Sequence, residues 1–204
     1  MKRVKLLFIA ILIIIFNSCS YVFVEAYGID HRTDLISQQD ISKEAEKVNL
    51  SEGEVYLMDS SFVDYLLSLD TSLFLFAKNN YQPLQYKVFD SEGKLVSHLA
   101  NCYAGGFPNL KWDWMFDQFP PSVNNQLFDS LLTFEEAKKY FIPIGNVTES
   151  NTRKKYSVVV IWTAAFGRQN KRFLETVREF RETHAGEANY YFVNFDNCFH
   201  KMMT

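Results

Sequence analysis

Three cysteines are the residues of this 204-residue chain best suited to covalent or metal chemistry: Cys19, Cys102 and Cys198. A cysteine thiolate is a nucleophile and a metal ligand, and two thiols can join as a disulfide. His98 lies four residues before Cys102 and His200 two residues after Cys198, so these side chains could form a Cys2His2 zinc site, although the spacings match no zinc-finger pattern. A Cys102–Cys198 disulfide, two free thiols and a zinc site are all open at this point.

A second candidate for chemistry is the cationic cluster Arg168, Lys171 and Arg172, which stands at the start of a predicted helix. Positive side chains oppose the helix dipole there, because the free N–H groups of a helix start already carry partial positive charge. Either an anion such as a carboxylate or a phosphate binds and compensates the charge, or the side chains are solvated and Glu175 neutralises Lys171.

The composition favours a folded domain that does not bind nucleic acid. Apolar residues make up 48% of the chain and the net charge is -3. Removal of residues 1–18 would take away three basic residues and no acidic one, so the charge would become -6. A chain of this sign does not attract the phosphate backbone. Gly105 and Gly106 lack the strand–GxGxxG–helix setting of a nucleotide loop, and we expect no cofactor.

The first residues of the chain have the layout of an export signal. Residues 1–5 are basic, residues 6–16 form an unbroken apolar stretch, and Asn17, Ser18 and Cys19 follow. A transmembrane helix needs roughly 20 apolar residues. The shorter stretch here fits the apolar region of a signal peptide, with small or polar residues at the cleavage point.

This signal resembles that of bacterial lipoproteins, in which the cysteine at the cleavage site receives lipid such as palmitate. Phe16 and Asn17 stand where the commonest pattern has Leu and a small residue, so ordinary secretion and an uncleaved anchor stay open as alternatives. The resemblance implies a signal peptide over 1–18, lipid on Cys19, a lead-in over 19–34 and a place in the cell envelope, at the periplasmic face or the cell surface. That compartment is oxidising, and the two remaining cysteines could pair there.

Residues 35–204 are expected to form a single α/β domain. Hydrophobic periodicity and turn residues predict its elements. Those before residue 150 are a polar helix over 35–48, a helix starting near Ser60, a β-hairpin over 84–102 that turns at Ser91-Glu92-Gly93, and a helix over about 133–141 that opens with a capping box.

The carboxyl-terminal part predicts a strand–helix–strand unit. Residues 156–162 form a continuous apolar run, which is typical of a strand buried on both faces of a parallel sheet. Residues 169–184 are amphipathic at helical spacing, and residues 190–195 form a second apolar run. A strand, a helix and a strand within about 40 residues are most simply a βαβ unit.

This unit, over residues 156–197, resembles thioredoxin. Val158-Val159-Val160-Ile161-Trp162 corresponds to the strand that leads into the active-site turn, residues 163–170 to the turn itself, and Tyr191–Asp196 to the next strand. The resemblance implies a thioredoxin-like mixed sheet with flanking helices. In the thioredoxin family the antiparallel strands of the sheet come from a hairpin that follows the strand–helix–strand unit. Here the hairpin over 84–102, which precedes the unit, would supply those antiparallel strands.

The turn departs from the family at the residues that do its chemistry. Phe166 and Gln169 stand in place of the two cysteines, and Arg168 stands where proline is usual. Thiol–disulfide exchange needs a thiolate, which neither side chain can supply. The chain as a whole also resembles bacterial lipoproteins of unassigned activity that carry a Gly-Gly-Phe-Pro-Asn loop, here residues 105–109.

These observations predict a lipid-anchored, non-catalytic module that binds an envelope protein or peptide. One alternative is a divergent thiol-redox protein that uses Cys102 or Cys198. Another alternative is a receptor for an anion or small ligand at Arg168, Lys171 and Arg172. A structure can separate these readings, because each depends on where these side chains lie in the fold.

Overall fold

The computed structural model describes residues 35–106, 109–122, 131–147, 154–184 and 186–203. The predicted signal peptide, Cys19 and the lead-in over 19–34 lie outside these residues. In the part of the chain that is described, no helix is both long and apolar enough to span a membrane.

Six strands form one mixed sheet in the order β3-β2-β5-β6-β1-β4. The strands β1, β6 and β5 are parallel, β2 and β3 form an antiparallel hairpin beside β5, and β4 pairs antiparallel with β1 at the other edge. The strand bounds are β1 Val55–Met58, β2 Gln85–Phe89, β3 Leu95–Ala100, β4 Phe141–Pro143, β5 Tyr156–Trp162 and β6 Ala188–Asn194. The predicted mixed α/β class, the hairpin and the parallel strands of the carboxyl-terminal unit are therefore confirmed.

Helices cover both faces of the sheet. Their bounds are α1 Gln38–Lys47, α2 Ser61–Leu67, α3 Phe74–Asn80, α4 Asn101–Ala104, α5 Phe134–Lys138, α6 Gly167–Thr183 and α7 Asp196–Met203. Single 3-10 turns occupy Glu52–Glu54, Thr71–Leu73, Asp113–Met115 and Ala164–Phe166.

Local signals set several of the helix ends. Ser37 caps α1 by accepting a hydrogen bond from the amide of Asp40. The predicted capping box between Thr133 and Glu136 is present at the start of α5. That helix ends at Lys138, earlier than predicted, because the chain enters β4 at Phe141.

Alternation along β5 divides the core into two parts. Val158, Val160 and Trp162 point to the face covered by α1 and α6. Val159 and Ile161 point to the face covered by α2, α3, α5 and α7. All five side chains are fully buried, which explains why the sequence of this strand is apolar without interruption.

An aromatic segment over 109–122 runs along α6 on the first of these faces. The Trp112 ring lies 4.4 Å from the Phe173 ring, and Phe116 packs edge-on against Phe180. Phe119 stacks on His184 near the end of the helix. These aromatic side chains are therefore part of the packing that holds α6 in place.

Candidate functional site

Four strands end at the same edge of the sheet. The strands β1, β6 and β5 are parallel, and β3 runs in the same direction because it is separated from β5 by the antiparallel β2. The segments that leave this carboxyl edge include the turn after β5, the start of α7 after β6, and α4 after β3. Ligands of open α/β sheets bind outside the carboxyl ends of parallel strands, so we treat this edge as the candidate site.

A buried carboxylate fixes the turn after β5. Asp196 is only 6% exposed. One of its carboxylate oxygens accepts hydrogen bonds from the Thr163 hydroxyl at 2.5 Å and the Ala165 amide at 3.1 Å. The other accepts from the Ala164 amide at 3.0 Å and the Asn194 side-chain amide at 2.6 Å. Four donors therefore hold the carboxylate of one strand end against the backbone of the neighbouring turn.

The turn then passes directly into α6 through a glycine. The Thr163 hydroxyl accepts a hydrogen bond from the Ala165 amide and caps the 3-10 turn Ala164–Phe166. Gly167 follows with a φ of 39°, a left-handed value that a residue with a Cβ adopts only with strain. The shape of this turn is thus set by the carboxylate, the hydroxyl and the glycine.

Phe166 and Gln169, the two residues that the sequence resemblance sets against the cysteines of thioredoxin, pack within the fold. Phe166 is half-buried, with its ring edge-on to Phe199 of α7 at 5.6 Å. Gln169 is buried, and its side-chain oxygen accepts a hydrogen bond of 3.0 Å from the Leu110 amide. Gln169 therefore joins the aromatic segment to the first turn of α6.

The predicted cationic cluster is exposed at the start of α6. Arg168, Lys171 and Arg172 are all exposed, and Lys171 lies 4.0 Å from Glu175 one turn along the helix. Among the residues whose positions are described, neither arginine has an ion-pair partner, and the first turn of α6 contains no acidic residue. Two positive charges at this helix start are thus uncompensated within the described fold.

The structure does not bring Cys102 and Cys198 together, and of the alternatives that the sequence left open it has the two free thiols. Both are free thiols. Cys102 lies on α4 directly after β3, whereas the Cys198 sulfur lies 3.7 Å from the carbonyl oxygen of Met58 at the end of β1. Four strand spacings of about 4.8 Å, or about 19 Å in all, separate β3 from β1. The Cα atoms of a disulfide are usually less than about 6.8 Å apart.

The same separation rules out the zinc alternative, because His98 belongs to β3 and His200 to α7. The described ranges also contain no group of three or more histidine, cysteine, aspartate or glutamate side chains that could hold a metal ion.

Neither thiol is activated as a nucleophile. Cys102 is exposed, but partial burial of its sulfur raises the pKa of the thiol, and the nearby Lys78 lowers it by a smaller amount. Burial raises the pKa of Cys198 to about 12. A reactive cysteine needs a lowered pKa and access to solvent, and neither residue has both.

A buried polar cluster between the hairpin and α3 was not predicted. Lys87 is 3% exposed, and its amine donates a hydrogen bond of 2.5 Å to the side-chain oxygen of Asn80. Gln85 donates to the Asn80 carbonyl at 3.0 Å and pairs with a ring nitrogen of His98 at 2.9 Å. Burial lowers the pKa of Lys87 to about 7, and burial together with Lys87 lowers the pKa of His98.

No protein family matches this chain, and neither a protein of curated function nor a solved structure gives a significant match. The functional reading therefore depends on the geometry described above.

Proposed function

We propose that this chain is a lipid-anchored protein of the bacterial cell envelope. In this proposal it presents the carboxyl edge of a thioredoxin-like sheet to a protein or peptide without thiol chemistry. The anchor is the lipid expected on Cys19. The binding surface is the edge formed by the turn after β5, the exposed start of α6 and the beginning of α7.

The turn after β5 carries this proposal. It lies between a central parallel strand and a long helix, which is where the proposed thioredoxin-like sheet would have its active-site turn. Its shape is held by Asp196, and the two cysteine positions are filled by the packed Phe166 and the buried Gln169. A turn that is rigid and free of thiols supports recognition rather than exchange, because binding to a fixed surface has a small entropic cost.

The competing redox function is tested by insulin reduction with dithiothreitol as the reductant. We expect the full-length lipoprotein to give the same rate as buffer, because neither thiol is activated. An accelerated rate that disappears on Cys102→Ser or Cys198→Ser would favour the redox reading over the binding reading.

The binding function is tested by photo-crosslinking in the native envelope. A photoactivatable phenylalanine analogue is placed at Lys171, at the exposed start of α6, and as a matched control at Glu182, which is exposed near the other end of the same helix. We expect a discrete adduct from position 171 and none from position 182. Equal adducts from both sites, or none from position 171, would contradict a binding surface at the carboxyl edge.

A second candidate function is an anion receptor at the same helix start, favoured by the charges of Arg168 and Arg172, which have no ion-pair partner among the described residues. Its probe is inorganic phosphate in calorimetry with the full-length protein. We expect binding to weaken on Arg168→Ala but to persist on Arg178→Ala, an exposed site further along α6. Phosphate binding unchanged by Arg168→Ala would dismiss this candidate.

A further inference from the structure

A lysine and a histidine lie side by side in the core beneath α3. Lys87 is 3% exposed and His98 is 4% exposed, and the register of β2 and β3 sets the two residues directly opposite each other. Side chains of such a pair point to the same face of the sheet. On β5 the residue next to Lys87 is Val159, whose side chain belongs to the core that α3 covers. Two basic groups are therefore buried together on one face.

Neutral side chains form hydrogen bonds with both basic groups. The Lys87 amine donates to the Asn80 side-chain oxygen at 2.5 Å, and a ring nitrogen of His98 pairs with the Gln85 side chain at 2.9 Å. Gln85 also donates to the Asn80 carbonyl at 3.0 Å. We call Asn80, Gln85, Lys87 and His98 the polar cluster. Its bonds join the end of α3 to the hairpin.

The elements around the polar cluster bring few other charges near it. Their remaining titratable groups in the described part of the chain are Asp64 and Tyr65 on α2, Asp70 before the 3-10 turn, Lys78 on α3, Tyr81 after α3, and Cys102 and Tyr103 on α4. Both aspartates are exposed, and Asp64 forms its ion pair with Lys201 of α7. No acid from these elements compensates a charge on Lys87, whose pKa is lowered by burial alone. A buried cation without an anionic partner destabilises the structure around it.

Helix α3 depends on its contacts with the hairpin and α4. It has seven residues, and an isolated helix of that length is not stable in water. Its last turn is tied to the fold by Asn79, which accepts a hydrogen bond of 2.9 Å from the Tyr103 hydroxyl, and by Asn80 in the polar cluster. Phe76 adds apolar packing. A charge on Lys87 therefore acts on one of the few contacts that hold this helix.

We propose that the polar cluster is an acid-sensitive switch, in which proton uptake by Lys87 and His98 releases α3 from the hairpin while the rest of the sheet stays folded. In the open state water solvates both basic side chains, and the sheet face beneath Phe76 is uncovered. Buried histidines that become charged near pH 5–6 act in this way in proteins that respond to acid. The switch is independent of the proposed binding surface at the carboxyl edge.

The direction of the pH effect follows from proton uptake on opening. Burial lowers the pKa of Lys87 from 10.5 to about 7, and burial together with Lys87 lowers the pKa of His98. In the open state the two pKa values return to about 10.5 and 6.5. Opening therefore binds protons and becomes more favourable as the pH falls. From pH 8 to pH 6 the opening constant should rise about tenfold from Lys87 and about fourfold from His98, or about fortyfold together.

The experiment is amide hydrogen exchange of the full chain, read by mass spectrometry at pH 8, 7 and 6 and corrected for the chemical exchange rate. Peptides that cover α3 report the switch, and peptides over 173–180 of α6 report the opening of the whole fold. We expect α3 to open at least tenfold more often than α6 at each pH. Low urea concentrations should leave α3 exchange almost unchanged, because a local opening exposes little surface.

Substitutions assign the pH dependence to the polar cluster. Lys87→Met should reduce the rise in the α3 opening constant between pH 8 and pH 6 from about fortyfold to about fourfold, and His98→Asn should reduce it to about tenfold. Lys87→Gln, which keeps a donor for Asn80, serves if the methionine variant does not fold. Lys78→Met removes an exposed lysine from the same helix and should leave the fortyfold rise unchanged.

Three results would overturn the proposal. One is a single opening constant shared by α3 and α6 at every pH, which would mean that α3 leaves only when the whole fold unfolds. Another is an α3 opening constant that does not change between pH 8 and pH 6. The third is a pH dependence that survives both Lys87→Met and His98→Asn, because other groups would then control the opening.

Discussion

Replacing the buried Lys87 by methionine should make the protein more stable at neutral pH. The lysine amine is surrounded by the hairpin and α3, and burial lowers its pKa from 10.5 to about 7. One pKa unit corresponds to about 1.4 kcal/mol, so burying this group destabilises the fold by up to about 5 kcal/mol below pH 7. Methionine keeps the length of the side chain and removes the ionisable amine.

Part of this gain is offset because Asn80 loses its hydrogen-bond donor. A buried acceptor without a partner costs about 1–3 kcal/mol. The net expectation is that Lys87→Met raises the free energy of unfolding by about 2–4 kcal/mol at pH 7. The assay is equilibrium urea unfolding followed by tryptophan fluorescence, since Trp112 and Trp162 are buried.

The pH dependence gives this prediction a distinct signature. Between pH 7 and pH 10.5 the unfolded state binds a proton at Lys87 that the folded state does not, so stability rises with pH. From pH 7 to pH 9 the native protein should gain about 2 kcal/mol from this group relative to Lys87→Met, so the advantage of the variant should shrink by that amount. Groups common to both proteins, such as Tyr86 and Cys198, cancel in this difference.

Lys78→Met is the matched control, because Lys78 is an exposed lysine on α3. It should change stability by less than about 0.5 kcal/mol at either pH. The reasoning would be refuted by a Lys87→Met protein that is less stable than the native one at pH 7. It would also be refuted by a stability difference that stays constant from pH 7 to pH 9.

Three further predictions concern the carboxyl edge and the thiols. Asp196→Ala should lower the free energy of unfolding by about 2–4 kcal/mol, since it leaves several buried donors unpaired, and urea unfolding of Asp196→Ala beside Asp196→Asn measures this. Iodoacetamide should alkylate Cys102 in the native protein but Cys198 only after unfolding, as read by mass spectrometry at pH 8; native labelling of Cys198 would contradict its burial. The double substitution Phe166→Cys/Gln169→Cys should create insulin-reducing activity, and a folded double variant without it would argue against a thioredoxin-like turn.

Much of the sheet could be predicted because its signals are local. The run over 156–162 is apolar on both faces, and β5 is an internal strand of the sheet with helices on both faces. The hairpin could be predicted from the alternation of apolar and polar residues over 84–90 and from Gly93 in the turn that follows. Its antiparallel place beside β5 followed from the resemblance and agrees with the observed pairing.

The distance between Cys102 and Cys198 could not be predicted, because it depends on the order of the strands in the sheet. Cys102 and Cys198 each follow a strand that ends at the same edge of the sheet. A sequence pattern can suggest this much. Only the order β3-β2-β5-β6-β1 places three strands between β3 and β1. That order is set by contacts between residues far apart in the chain. Helix α7, which carries Cys198, was also not predicted, because it is eight residues long and has only a short periodic pattern.

The burial of Lys87 could not be predicted from the sequence, because both the strand pattern and the residue type suggest an exposed side chain. Tyr86 and Val88 alternate with Lys87 and Phe89 along β2. A strand with one apolar face suggests that the other face meets water, and a lysine supports that reading. In the fold, β2 is flanked by β3 and β5, and α3 covers the face that carries Lys87. The covering helix was the missing information.

The polar residues buried at the carboxyl edge bear on what that edge can do. Asn194, Asp196 and Thr163 hydrogen-bond to one another or to the turn, and Gln169 bonds to the aromatic segment. A buried polar group destabilises a fold unless its partners are in place, so these bonds hold the backbone of the edge in one arrangement. A reactive site could use such rigidity to position a nucleophile, but no thiol lies within this network. What the network does hold in place is the exposed start of α6, and a partner that binds there would not have to order the surface first.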